Sequence, residues 1–413
     1  MKALRFHASI PRYVFTKALG KLLPSAHYRF FPPTRLDDIP EPDVRSGWVK
    51  IETRYAGICA SDINTILLRE SPLLEPLCSF PSVLGHETTG KVVETGTGTT
   101  RVFAGDRVVL DPILSCRVRG IDPVCEACER GDTVICENFD RGNLSPALDT
   151  GWCRETGGAF SPYFLAHESQ VHKVADNVTD ENAVLVEPFT IGIHAVVRHF
   201  PKDTDTVVVI GTGVIGMMVL IALRALGSKA KIIAVDKAEF QGKQATERGG
   251  ADIFIRVKKG YYQELAGELK TRLYKPILEK KELTVGGGAD IVFECVGIPA
   301  TIEDALRFTK AGGKMILVGT PARIMIDWSL IWHKELQVAG NFGSCMEDHE
   351  GTKKHAFDIA LELMSSGKVD LSWMITHKFR FPNDYKKAIQ YSINKGKYRV
   401  MKVVFRFDGE KKV

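Results

Sequence analysis

The sequence predicts an α/β chain of more than one domain, with a β-rich first part followed by a doubly wound parallel sheet. Three observations predict it. From about Ala195 onward, apolar runs of strand length alternate with helix-permissive segments, the pattern of a parallel sheet with crossover helices. One such run, Val207 to Ile210, leads directly into a glycine-rich turn. Ahead of it, short β-branched runs are separated by Gly, Pro and Asp turn signals. A length of 413 residues agrees with two or three domains of roughly 150 residues each.

Composition removes several classes. At 44% hydrophobic and 25% charged, the chain is neither disordered nor collagen-like. The net charge of +5 is spread along the sequence, without the basic stripe that nucleic-acid binding requires. Thr206 to Leu223 is uncharged and long enough to span a bilayer, but the glycines in its first half fit a turn better than a span. No membrane or nucleic-acid partner is therefore expected. The nine cysteines are too few for a disulfide scaffold, and four of them crowd between Cys116 and Cys136. With no signal-peptide core at Met1–His7, that clustering points to metal in a reducing, cytoplasmic setting.

In chain order, Pro11 to Leu23 reads as a short helix with proline at its start, packed on its own domain. Strands are expected at Gly47–Glu52, Gly90–Glu94 and Asp106–Leu110. In the second half they are expected at Val207–Ile210, Lys231–Asp236, Ala251–Ile255, Asp290–Cys295 and Lys314–Gly319, with a helix running to Leu226. The lysine-rich stretch Lys258–Gly288 reads as a solvated helical extension. The chain closes on an apolar strand, Met401–Phe405.

Gly211-Thr212-Gly213-Val214-Ile215-Gly216 follows a buried strand and opens a helix, and Asp236 with Lys237 ends the next strand. In that context the glycines mark a dinucleotide site. Gly211 permits the tight turn, Gly213 admits a pyrophosphate, and Gly216 lets the helix pack close to the strand. The helix N-terminus offers free N–H groups to phosphate. Asp236 can accept both ribose hydroxyls and would repel a 2′-phosphate, which favours NAD over NADP.

Two groups of metal-ligating residues lie upstream. Cys59, His86, Glu87 and Glu187 supply a thiolate, an imidazole and carboxylates, the donor types of zinc; singly each has an ordinary explanation, as a core thiol or a turn. Cys116, Cys125, Cys128 and Cys136 could close a tetrahedral structural zinc site, with Asp122 as an alternative to Cys116.

Together these residues resemble the zinc-containing medium-chain dehydrogenase/reductase family of alcohol, polyol and threonine dehydrogenases. The match runs in family order over nearly the whole chain. It takes in Gly57-x-Cys59-x-Ser61-Asp62, Gly85-His86-Glu87, Gly105-Asp106-Arg107-Val108, the four cysteines, Glu187-Pro188, the glycine turn and Ala311-Gly312-Gly313. The resemblance implies a GroES-like β-rich catalytic domain over 1–189, with a structural zinc lobe at 114–140. A Rossmann domain would follow over 190–340, with a return to the catalytic domain over 341–413. It implies catalytic zinc and nicotinamide in a cleft between the domains, and a homodimer or homotetramer. Cys59 and His86 would ligate zinc, Glu87 would bind it or exchange with water, and Glu187 would stand where classical alcohol dehydrogenases have a cysteine. Ser61 would pass on the substrate proton, and Asp62 would orient the histidine.

Four features depart from the family pattern. Asn64 replaces a common proton-carrying histidine, the first lobe cysteine is displaced by an insertion, and the segments before Pro40 and over Lys258–Gly288 are long. The substrate-cleft residues match no particular member. Phe80, Phe160, Trp328 and Trp332 could line a roomy pocket, although aromatics are more often core. The resulting expectation is a zinc enzyme that transfers hydride between an alcohol, secondary or polyol-like, and NAD. A zinc-free reductase of enones or quinones is the nearest rival, and it leaves the coincidence of Cys59, His86 and Glu87 unexplained.

Overall fold

The computed structural model describes residues 1–7, 9–28, 32–321 and 323–407. Its contacts divide the chain into two units, Met1–Glu187 with Phe357–Val413, and Pro188–Ala356.

The first unit is built on a seven-stranded sheet. Six strands follow the order Ile375–Arg380, Lys402–Arg406, Trp48–Gly57, Glu87–Thr95, Arg107–Leu110 and Val171–Lys173, and Tyr163–His167 also pairs with Trp48–Gly57. The ten-residue strand Trp48–Gly57 is the organiser, because three partners hydrogen-bond to it. Its β-branched and aromatic residues suit a pleated, half-buried surface. Val49, Ile51, Val92, Phe164 and Phe405 meet in one core. The expected strands are present with shifted ends, and the last one covers Lys402–Arg406.

The early helix spans Ile10–Leu22 with proline in its first turn. It touches the same core through Tyr13 and leaves Ile10, Val14 and Phe15 exposed.

The cysteine-rich loops fold around Arg119, whose side chain is fully buried. Its guanidinium donates to the carbonyls of Leu114, Arg141, Leu144, Ser145 and Ala147 at 2.7–3.2 Å. Five loop carbonyls that would otherwise be buried without a donor are thereby satisfied. Leu114, Val118 and Leu144 pack beneath them on Trp48 and Leu165.

The second unit holds six parallel strands: β1 (Thr206–Ile210), β2 (Lys231–Asp236), β3 (Ile253–Arg256), β4 (Ala289–Glu294), β5 (Thr309–Leu317) and β6 (Gln337–Gly340). Their spatial order is β3-β2-β1-β4-β5-β6. This is the Rossmann order, and it reverses between β1 and β4. Val208, Ile233, Val292 and Met315 from four of the strands share one core.

Three expectations about this unit need correction. Lys258–Gly288 is not a helical extension throughout: a helix covers Tyr261–Glu268, and an antiparallel hairpin of Arg272–Tyr274 and Leu283–Val285 follows. Leu273 and Leu283 pack on the sheet's core, and buried Thr284 accepts a hydrogen bond from Lys334 Nζ at 2.8 Å. Pro276 inside the stretch cannot continue a helix. Ala311-Gly312-Gly313 lies within β5 rather than before it. Beyond 340 the chain remains in this unit, forming a hairpin of Met346–His349 and Thr352–His355.

Candidate active site and metal centres

Strand register assembles the first group of donors. Gly57 pairs with Glu87 on one side and with Val404 on the other, so Cys59 and His86 flank one paired position. Lys402, two residues before Val404, projects to the same face as Val404. Glycine at 57 is required for room: a Cβ there would overlap the Glu87 carboxylate and press on Lys402 Cε. The donor atoms of Cys59, His86 and Glu87 lie within 4.8 Å of one another, and His86 and Glu87 are buried. Glu87 accepts a hydrogen bond from the buried Lys402 ammonium.

Cys59 caps the helix Ala60–Ile66. The Asp62 carboxylate accepts from the Cys59 N–H at 2.9 Å and faces His86 Nδ1 at 3.8 Å. His86 Nδ1 and Asp62 Oδ1 are both buried without a hydrogen-bond partner among the described residues. Ser61, half-buried, lies in the first turn of the same helix. The Trp152 ring stands 5.1 Å from that of His86.

Burial dominates the electrostatics of the carboxyls around this site. Burial pushes the Asp62 carboxyl up to about 6, Asp149 to about 7 and Glu187 to about 8. Burial alone would lower the His86 pKa, but the charges of Asp62 and Cys59 prevail and hold it well above the usual imidazole value. A field that stabilises a cation at this imidazole is also a field for a bound cation. A thiolate, an imidazole and a carboxylate match the donor set of a catalytic zinc with one open position.

Glu187 is buried in the first turn of the helix Val186–Arg198, but it is not among the three donors that lie within 4.8 Å of each other. Its ionised form adds to the negative charge facing His86. Asn64, at the missing histidine's position, hydrogen-bonds Glu70, whose carboxyl is pushed up to about 7 by burial.

Sequence reasoning missed Lys402, Glu70, Asp149 and Trp152. Only Lys402 carried a signal: a lysine inside the apolar run Met401–Phe405 has to be buried by the strand or bulge out of it.

In the lobe, the thiols of Cys116, Cys125, Cys128 and Cys136 lie within 4.8 Å of one another. Asp122 is exposed and outside this group. A hydrogen bond from Cys128 draws the Cys136 thiol down to about 5, while Cys128 itself is pushed up. Four thiols gathered around one point, with one already inclined to ionise, fit a closed tetrahedral zinc site.

In the second unit, the turn from β1 into the helix Val214–Ala225 brings Gly211, Gly213, Val214, Ile215 and Gly216 together at the strand ends. Gly211 has φ +89°, which favours glycine, and a Cβ at Gly216 would overlap the Gly211 carbonyl. Gly213 is different: a Cβ there would meet nothing within 4 Å. The protein's own packing does not demand that glycine, and the open space above it leaves room for close approach by a ligand. Thr212 Oγ1 beside it is buried with no partner among the described residues. Asp236 Oδ2 accepts from Thr212 N–H at 2.6 Å and Oδ1 from Ala238 N–H at 2.7 Å, so the acid braces the turn and keeps lone pairs for ribose. Lys237 is exposed. The residues present fit a dinucleotide. Of the four aromatics, Phe160 is buried and Phe80 packs on the first unit's core, whereas Trp328 and Trp332 are exposed on the second unit.

Comparison with known proteins agrees with this geometry. Residues 45–176 match the alcohol dehydrogenase GroES-like domain, and residues 214–366 match the zinc-binding dehydrogenase domain. Sorbitol dehydrogenase 1 of Saccharomyces cerevisiae is 28% identical over 90% of this chain and 94% of its own. L-idonate 5-dehydrogenase of Vitis vinifera is 29% identical over 86% of this chain and 87% of its own. The crystal structure of 2R,3R-butanediol dehydrogenase from Bacillus subtilis superposes with a TM-score of 0.70 at 26% identity, covering 98% of this chain and 99% of that one. No helix among the described residues is long and apolar enough to cross a membrane. The chain belongs to the zinc-containing medium-chain dehydrogenase/reductase family and is a zinc-dependent alcohol dehydrogenase.

Proposed function

We propose that the chain oxidises a secondary hydroxyl of a small polyol or vicinal diol to a ketone, and reduces the ketone in the reverse direction. The observation that carries the reading is the meeting of Cys59, His86 and Glu87 at one buried point, with Glu187 instead of a second thiolate in their field. The relatives named for sorbitol, idonate and butanediol support this substrate class. Bound zinc would supply Lewis-acid polarisation of the substrate oxygen, and the dinucleotide would supply a hydride acceptor.

Cys59, His86 and Glu87 hold the metal in this reading. Asp62 fixes Cys59 through its backbone and faces His86. Lys402 holds the Glu87 carboxylate, and Glu187 accepts hydrogen bonds from water or a second substrate hydroxyl. Ser61 takes the substrate's proton. With Asn64 in place of histidine, the proton leaves by way of water toward Glu70, whose pKa near 7 suits proton exchange. Gly211, Gly213, Val214, Ile215, Gly216 and Asp236 bind NAD, with Lys237 at the rim. The four lobe cysteines hold a structural zinc.

The first unit thus serves as catalytic domain and the second as cofactor domain. The chain assembles as a homodimer or homotetramer, consistent with β6 leaving one sheet edge unpaired among the described residues and Val338 exposed on it. Its thiol-rich donors fit the cytoplasm.

NADH formation from a panel of polyols, vicinal diols and primary alcohols tests the substrate assignment. Turnover confined to primary alcohols would reject it.

A further inference from the structure

A third cluster of metal-ligating side chains lies inside the second unit. His194, on the helix Val186–Arg198, and Glu347, on the strand Met346–His349, are buried and hydrogen-bonded through Nδ1 and Oε1. Cys345, fully buried, places Sγ 4.0 Å from His194 Nδ1 and 3.6 Å from Glu347 Oε1. Arg198, one turn after His194, reaches Cys345 Sγ with Nη2 at 3.1 Å and Glu347 Oε2 with Nε at 3.3 Å. Nothing in the dehydrogenase chemistry uses these groups.

We propose that His194, Cys345 and Glu347 form a further site for a divalent cation of the zinc class, held within the Rossmann unit. The donor set is the zinc set of sulfur, nitrogen and oxygen, drawn from one helix and one hairpin. With Zn–S about 2.3 Å and Zn–N and Zn–O about 2.1 Å, a tetrahedral site separates S from N and from O by about 3.6 Å, and N from O by about 3.4 Å. The sulfur-to-oxygen distance already has that value. The sulfur must close on the imidazole by a few tenths of an ångström, and the imidazole–carboxylate hydrogen bond must open to admit the ion.

For the ion to bind, the Cys345 thiol gives its proton to solvent and His194 presents Nδ1 without a proton. One thiolate and one carboxylate then offset the ion's two positive charges, and the Arg198 guanidinium, which neutralises Glu347 beforehand, leaves the cluster with one net positive charge. Arg198 remains outside the ion, donating to the sulfur and to the far carboxylate oxygen, the role of the outer partners that orient metal ligands. Such a metal would tie the hairpin of Met346–His355 to the helix Val186–Arg198.

The test is independent of turnover. The chain is exchanged with cadmium-113, washed free of excess metal, and examined by metal analysis and cadmium NMR, in which each site gives a resonance reporting its thiolate count. The proposal expects three cadmium ions per chain: one four-thiolate resonance and two one-thiolate resonances. Cys345→Ser should remove one of the one-thiolate resonances and leave the others in place. Two ions and two resonances in the wild-type chain would overturn the proposal whether or not the variant folds. Three unchanged resonances in a folded Cys345→Ser protein would overturn it equally.

Discussion

Gly57 shows how much of the site depends on an absent side chain. Its φ is not in the left-handed region, so the backbone would admit alanine, and the cost falls on the Glu87 and Lys402 side chains that occupy the space, the Glu87 carboxylate most of all. Gly57→Ala should leave the fold intact and lower kcat/KM by about 10²-fold, the scale associated with displacing a reacting group by an ångström. Steady-state kinetics together with circular dichroism would check both halves. At the cofactor turn, Asp236 accepts two backbone N–H bonds with its two oxygens. Asp236→Asn puts an amide donor where one of these acceptors stood and removes the charge that repels a 2′-phosphate. KM for NAD should rise about tenfold, a change of about 1.4 kcal/mol, and the preference over NADP should narrow. An unchanged NAD-to-NADP ratio would mean that specificity lies elsewhere.

At the scale of elements, the strands of the parallel sheet and the glycine-rich turn between β1 and its helix were legible because a strand buried on both faces writes a continuous apolar run. The hairpin inside 258–288 was not, because its strands are three residues each and the one residue they bury is the polar Thr284, held by Lys334, which leaves no periodic trace. The donors of the first metal group were legible as residue types. Their convergence with Lys402 was not, since it depends on pairing between strands more than 300 positions apart in sequence. Lys334 yields an element-scale prediction. Burial lowers its pKa to about 8 while it donates to Thr284 and to the Thr309 carbonyl. Because the folded pKa lies below the unfolded value, the unfolded chain binds more protons between about pH 8 and about pH 10.5. This lysine's contribution therefore makes stability rise with pH across that window, and below it the burial cost is present in full. Lys334→Met should reduce the gain measured by denaturant unfolding at the two ends of the window. An identical pH dependence in the variant would contradict the assignment. In the lobe, Arg119→Met leaves five carbonyls without their donor. It should destabilise the lobe by about 3 kcal/mol or more, seen as accelerated amide exchange over residues 114–147.

For the whole molecule, the two units divide the labour as two kinds of polar site on two kinds of sheet. The antiparallel sheet of the first unit places donors by register between distant strands. The parallel sheet of the second places the glycine-rich turn, the proposed phosphate cradle, where its strand order reverses. Each site can be read by itself, and the family's chemistry requires both to be filled. The most direct measurement is NADH formation from sorbitol or 2,3-butanediol by the zinc-loaded protein, repeated after removal of the catalytic metal by chelation and again after zinc is restored. The account predicts turnover that disappears with the metal and returns with zinc, and that Cys59→Ala cannot regain. Turnover that survives in metal-free protein would contradict it and favour the zinc-free reductase reading.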